Sequence, residues 1–215
     1  MENSLKNLGV NEIYITQPQS VYRSIPKGWM KDIGFNVEQT EIGHYLPLKG
    51  DLINRIHQME RRKLKTSKTY YVSQEGHENL AEIHQFLSVC RKHQDLNINV
   101  TLESLQSQVE SFPNQYRIFS ARKDAELMSA VIMNAATENI AYYFLPGTLP
   151  KFKKFSPMVG LIGHIYRDYQ NEGFEYIDFG ISSVDEVPQR SLITFKEHMG
   201  GIRNERITYF KQLTE

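Results

Sequence analysis

The stretch Asn139-Ile140-Ala141-Tyr142-Tyr143-Phe144-Leu145 decides how this chain is read. In an extended conformation Ile140, Tyr142 and Phe144 stand on one face, Ala141, Tyr143 and Leu145 on the other. Both faces are apolar, which is the mark of a central strand covered above and below. Upstream, residues 115–121 and 127–133 are two apolar runs around a polar turn at 122–126, the pattern of a hairpin. Before them, Leu102, Leu105, Val109 and Phe112 form a helical stripe capped by Thr101 and stopped by Pro113. Leu80, Ile83, Leu87 and Cys90 line a second helix over 77–93, and 68–73 is a short β-rich run. Downstream, Ser156 and Pro157 open a helix as N-cap and first residue, and Gly173 closes it. A strand at 174–179 runs into Gly180. A helix with Pro188 in its first turn carries the stripe Val187, Leu192, Phe195 and Met199, and Gly200-Gly201 ends it before a last strand at 207–210. The order β-α-α-β-β-β-α-β-α-β lacks the regular alternation of a doubly wound fold. It predicts an α/β (α+β) chain with a mixed, mostly antiparallel central sheet and helices on both faces.

Residues 1–66 read differently. Short apolar bursts at 13–15 and 45–48 lie among Pro18, Pro26, Gly28, Gly34 and Gly43, which suggests strands joined by turns. Asp51 is placed as the cap of a helix through Leu52, Ile56 and Met59 that ends in the charges Arg61, Arg62, Lys63, Lys65 and Lys68. A boundary near residue 66 divides an N-terminal segment, 1–66, from a main domain, 67–215. Ile13, Ile15, Phe35 and Leu46 need cover. A second copy supplies it if the chain forms a homodimer; residues 67–215 supply it if the chain is a monomer.

Composition excludes several classes. With 25 basic and 25 acidic residues, bulk electrostatic attraction to nucleic acid is absent, so any such role rests on a local patch. No stretch approaches 18 consecutive apolar residues, and Met1-Glu2-Asn3-Ser4 lacks the basic and apolar regions of a signal peptide. The single cysteine, Cys90, fits a reducing compartment or simple burial. A soluble, cytoplasmic protein without membrane contact is the expectation. His77 and His84 share a helical face without metal-ligand spacing, so no metal is expected. Gly-x-Ser-x-Gly, P-loop and Gly-x-Gly-x-x-Gly patterns are missing.

The element order over about 67–215 resembles the GNAT-type acyl-CoA N-acyltransferases. The words Tyr176-Ile177-Asp178-Phe179-Gly180, Phe195-Lys196 and Gly200-Gly201 are most similar to the C-terminal half of Fem-type aminoacyl transferases. Residues 1–66 look like the tail of a first such half. The resemblance implies transfer of an acyl or aminoacyl group, from acyl-CoA or aminoacyl-tRNA, to a small-molecule or peptide amine. Two other readings stand beside it: a binding or regulatory module that kept the fold without the chemistry, and a scaffold unit that pairs through 1–66.

The family's Gly-rich pyrophosphate turn is absent: its place reads Lys151-Phe152-Lys153-Lys154-Phe155-Ser156-Pro157-Met158-Val159-Gly160, and Pro157 removes one donor. Lys153 and Lys154, with Ser156, Met158 and Gly160 at the helix start, are the donor-binding candidates. The alternatives are a solvated loop for the lysines and close helix packing for Gly160 and Gly163. Asp178 is the one acid in its apolar run and is a candidate proton acceptor, or else a cap of the following loop. Lys196 is a candidate for a phosphate or a developing oxyanion, or else a snorkelling surface lysine. Tyr142 offers a phenol from the central strand, with core packing as its alternative.

Overall fold

The computed structural model describes residues 2–23, 26, 28–184 and 187–213. In chain order the elements are α1 (Glu2–Asn7), β1 (Glu12–Thr16), α2 (Trp29–Asp32), β2 (Asn36–Pro47), α3 (Leu52–Arg55), α4 (Gln58–Thr66) and β3 (Tyr71–Glu75). They continue with α5 (Leu80–Lys92), α6 (Leu102–Ser111), β4 (Tyr116–Lys123), β5 (Glu126–Ala135), β6 (Ile140–Thr148), α7 (Pro157–Asn171) and β7 (Tyr176–Ile181). Last come the two-residue strands β8 (Ser183–Val184) and β9 (Val187–Pro188), which pair with each other, then α8 (Arg190–His198) and β10 (Ile202–Gln212). Eight strands form one sheet in the order β1-β10-β2-β7-β6-β5-β4-β3. All neighbours are antiparallel except β6 and β7. The mixed, mostly antiparallel sheet expected from the sequence is present.

β6 is central, and its two faces carry different cores. Tyr143, with Phe119, Val131 and Met133, packs under α7 against Ile162, Ile165 and Tyr166. On the opposite face Ile118, Ala130, Ile132 and Leu145 pack under α5 and α6 against Ile83, Leu87 and Leu105. A bulge in the β5–β6 ladder between Ile132 and Met133 leaves Phe144 without a partner there, and both Phe144 and Leu145 pack on the α5 side.

Local chemistry explains several boundaries. Thr101 caps α6 by accepting from the Ser104 N–H. The β4–β5 turn is tighter than expected: Asp124 and Ala125, at φ 50° and 66°, form a two-residue turn of the primed kind without its usual glycine. The helix expected after Asp51 is two short helices, because Ile56 and His57 are extended, and Asp51 makes no side-chain cap. His57 starts the second helix, accepting from the Met59 N–H, and Met59 is exposed. Ser156 precedes α7, but at φ 51° its side chain makes no cap bond. Pro188 lies in β9 rather than in a helix, and Val187 is exposed; α8 instead buries Ile193 and Lys196, followed by Met199.

The sheet runs across residue 66. β2 lies between β7 and β10, and β1 is the edge strand beyond β10. Leu46 is buried in the same core as Ile177 and Phe179, so residues beyond 66 cover it. Among the described residues, no helix is long and apolar enough to cross a membrane.

Candidate functional site

β6 and β7 pair in parallel only at Ile140–Tyr176, Ala141–Ile177 and Tyr142–Asp178. Past these residues the strands part. Pro146 lies in this part of β6, where β5 is the remaining ladder partner. A strand proline needs a position whose nitrogen has no ladder acceptor, and an unpaired strand flank provides one. The gap opens into a cavity of about 740 Å³. Met158 and Ile162 of α7 line it on one side of the sheet, Arg91 of α5 and Gln94 just beyond that helix on the other, and Phe195 and Lys196 of α8 also contribute. Its lining cations are Arg91, Lys153 and Lys196; no carboxylate is among the described lining residues.

Lys196 is the most unusual of these groups. It is 4% exposed, and its Nζ donates to the carbonyls of Ile181 at 2.6 Å and Gly180 at 3.2 Å. Burial lowers its pKa to about 7, against the opposing pull of the Asp178 charge. It is therefore poised between ammonium and amine near neutral pH.

Asp178 lies behind the cavity wall. One carboxylate oxygen accepts from the Gly180 N–H at 2.7 Å and from Gln19 Nε2; the other accepts from the Tyr22 hydroxyl at 2.9 Å. Burial raises its pKa, and these three donors work against that rise. Tyr142 lines the cavity with its ring against Gly180, and burial raises its phenol pKa. Tyr143 is buried, its hydroxyl donating to Met158 Sδ at 2.7 Å.

The donor-binding candidates separate. Lys153 and Met158 line the cavity; Lys154, Ser156 and Gly160 are not among its lining residues. Lys154 is exposed, with its Nζ 5.1 Å from the Phe155 ring centroid. Ser156 bonds back weakly to the Lys153 carbonyl at 3.5 Å. Gly160 faces elsewhere: a Cβ there would lie 2.4 Å from the Tyr70 hydroxyl, and one at Gly163 would lie 2.7 Å from Leu64. Both glycines admit the segment that follows α4 and α4 itself against α7.

Sequence reasoning missed Gln19, Tyr22, His44 and Arg91. His44 is fully buried on β2, with Nδ1 3.0 Å from Ser182 Oγ and Nε2 3.7 Å from Glu197. Burial, then the nearby Lys196 charge, lowers its pKa to about 4. Arg91 Nε is buried without a hydrogen-bond partner among the described residues. No local pattern announces such groups, since Gln19 and Asp178 are 159 residues apart.

Residues 54–186 match the family model described as an acetyltransferase (GNAT) domain. The fold is similar to the crystal structure of FemX, with a TM-score of 0.75 at 12% identity over 98% of this chain and 75% of that one. It is also similar to the C-terminal domain of a putative lysylphosphatidylglycerol synthetase from Agrobacterium fabrum, with a TM-score of 0.69 at 12% identity over 98% and 70% of the two chains. L-PGS from Bacillus licheniformis aligns with a TM-score of 0.61 at 12% identity, over 84% of this chain and 63% of that one. No curated protein matches by sequence.

Proposed function

The chain belongs to the GNAT acetyltransferase domain family, and from that premise we propose that it transfers an acyl or aminoacyl group to an amine at the opening between β6 and β7. The observation that carries this reading is Lys196, buried at the cavity with its ammonium held by two carbonyls. The donor carbonyl enters the gap beside the unpaired flank of β6. The acceptor amine attacks the carbonyl carbon, a C–N bond forms, and the charge that develops on oxygen is met by the Lys196 ammonium. Collapse breaks the bond to the leaving group. A lysine that titrates near neutrality can give that group a proton and regain one from the attacking amine.

The start of α7 does not fit a CoA pyrophosphate. Pro157 has no N–H, Ser156 is left-handed, and Gly160 is occupied with Tyr70. An aminoacyl ester is the donor we favour. Incubating the protein with labelled aminoacyl-tRNA, or with acyl-CoA, and a panel of amines tests this reading. Amide formation lost in Lys196→Met supports it; amide formation unchanged in that variant refutes the role of Lys196. No transfer from either donor moves the protein to the binding-module reading.

A further inference from the structure

Asp178 is well placed to be mistaken for a catalytic base, yet it does not line the cavity, and three described donors hold its two oxygens. Gln19 and Tyr22 hold it from the N-terminal segment, and Gly180 holds it from its own strand. Gly180 is left-handed at φ 68°, and a Cβ there would lie 3.3 Å from the Tyr142 ring. That turn aims the Gly180 and Ile181 carbonyls at Lys196 Nζ. Gln19 reaches Asp178 by crossing Gly43 of β2, where a Cβ would lie 2.9 Å from Gln19 Cδ. A continuous set of contacts therefore runs from residues 19–22, through Asp178 and the Gly180 turn, to the ammonium at the cavity.

We propose that Asp178 is a positioning residue: anchored by Gln19 and Tyr22, it fixes the Gly180–Ile181 turn whose carbonyls hold Lys196 in place. The inference builds on the proposed role of Lys196, but its test reads the titration of that lysine and needs no transfer activity. Among the described residues, the charged or titratable groups around Lys196 include Asp178 itself, Tyr142 beside the Gly180 turn, and His44 with Glu197 and its partner Arg203.

The test is competitive labelling of the full-length protein with acetic anhydride across pH, with the modified Lys196 peptide quantified by mass spectrometry. Asp178→Asn removes the charge but keeps an oxygen for the Gly180 N–H, so the Lys196 midpoint should fall. Asp178→Ala removes charge and anchor together. Lys196 then leaves its carbonyls for water, and its midpoint should rise toward the ordinary lysine value by about one pH unit or more, a tenfold change in free amine at fixed pH. Tyr22→Phe and Gln19→Ala keep the charge and loosen the anchor, so they should shift the midpoint up by a smaller amount. They also keep the test decisive if Asp178→Ala does not fold. A fall in both Asp178→Asn and Asp178→Ala, or no shift in Tyr22→Phe and Gln19→Ala, would overturn the proposal and leave Asp178 acting by charge alone.

Discussion

Two cationic regions adjoin the same cavity and are built in opposite ways. Lys151, Lys153 and Lys154 lie on a short turn before α7, exposed, with Lys151 paired to Glu126 and Lys154 resting over Phe155. Lys196 is a single charge, buried and hydrogen-bonded to two carbonyls. Three charges in water are screened within about 10 Å at ordinary salt. One charge taken out of water has its pKa moved and its reach enlarged. Environment, not the number of lysines, is what sets Lys196 apart as the candidate for the proposed transfer.

The sharpest way to break this contrast is to remove Lys196. Lys196→Met should cost transfer about 10²–10³-fold, the usual scale for losing one oxyanion partner, measured as kcat/KM with whichever donor is active. Comparable loss on mutating Lys153 would erase the distinction. A second test uses linkage. Because the folded-state pKa of Lys196 is near 7 and the ordinary value is 10.5, the unfolded chain binds the extra proton between those pH values. This group therefore adds stability as pH rises through that window, at a slope of up to about 1.4 kcal/mol per pH unit. Urea midpoints taken from pH 7 to 10 should show the slope in the wild type and lose that component in Lys196→Met.

A third variant, Gly180→Ala, strains a left-handed position and presses on Tyr142. It should destabilise the fold by about 1–2 kcal/mol, read by urea titration, and, by loosening the same turn, raise the pH midpoint of Lys196 labelling. The smallest effect is expected for Lys153→Gln with Lys154→Gln. Melting temperature should not change measurably, while any binding of an anionic donor weakens modestly and becomes less sensitive to salt. A collapse in stability would mean that the turn is structural rather than solvated.

The two regions also differ in how well sequence reveals them. The central strand was legible because 140–145 is apolar on both faces, and α5 and α6 because Leu80–Cys90 spacing and the Thr101 cap are local signals. Tyr142, Lys153, Met158 and Lys196 were named from sequence and do line the cavity. The anchor of Asp178 was not legible, because Gln19 and Tyr22 meet it only after β2 has entered the sheet. The bulge at Phe144 and the left-handed Ser156 were equally hidden, since neither residue type announces that backbone.

The place of β2 also has a consequence for biosynthesis. Its partners β7 and β10 are encoded far downstream, the first beginning at Tyr176 against the end of β2 at Pro47. At roughly 5–20 residues per second, a ribosome needs on the order of ten seconds to make the intervening chain. Throughout that interval the β2 segment has neither of its sheet neighbours. Sheet completion is thus a late, long-range event, and the nascent chain must keep an unpaired strand from finding the wrong partner until translation has passed β10, at residue 212.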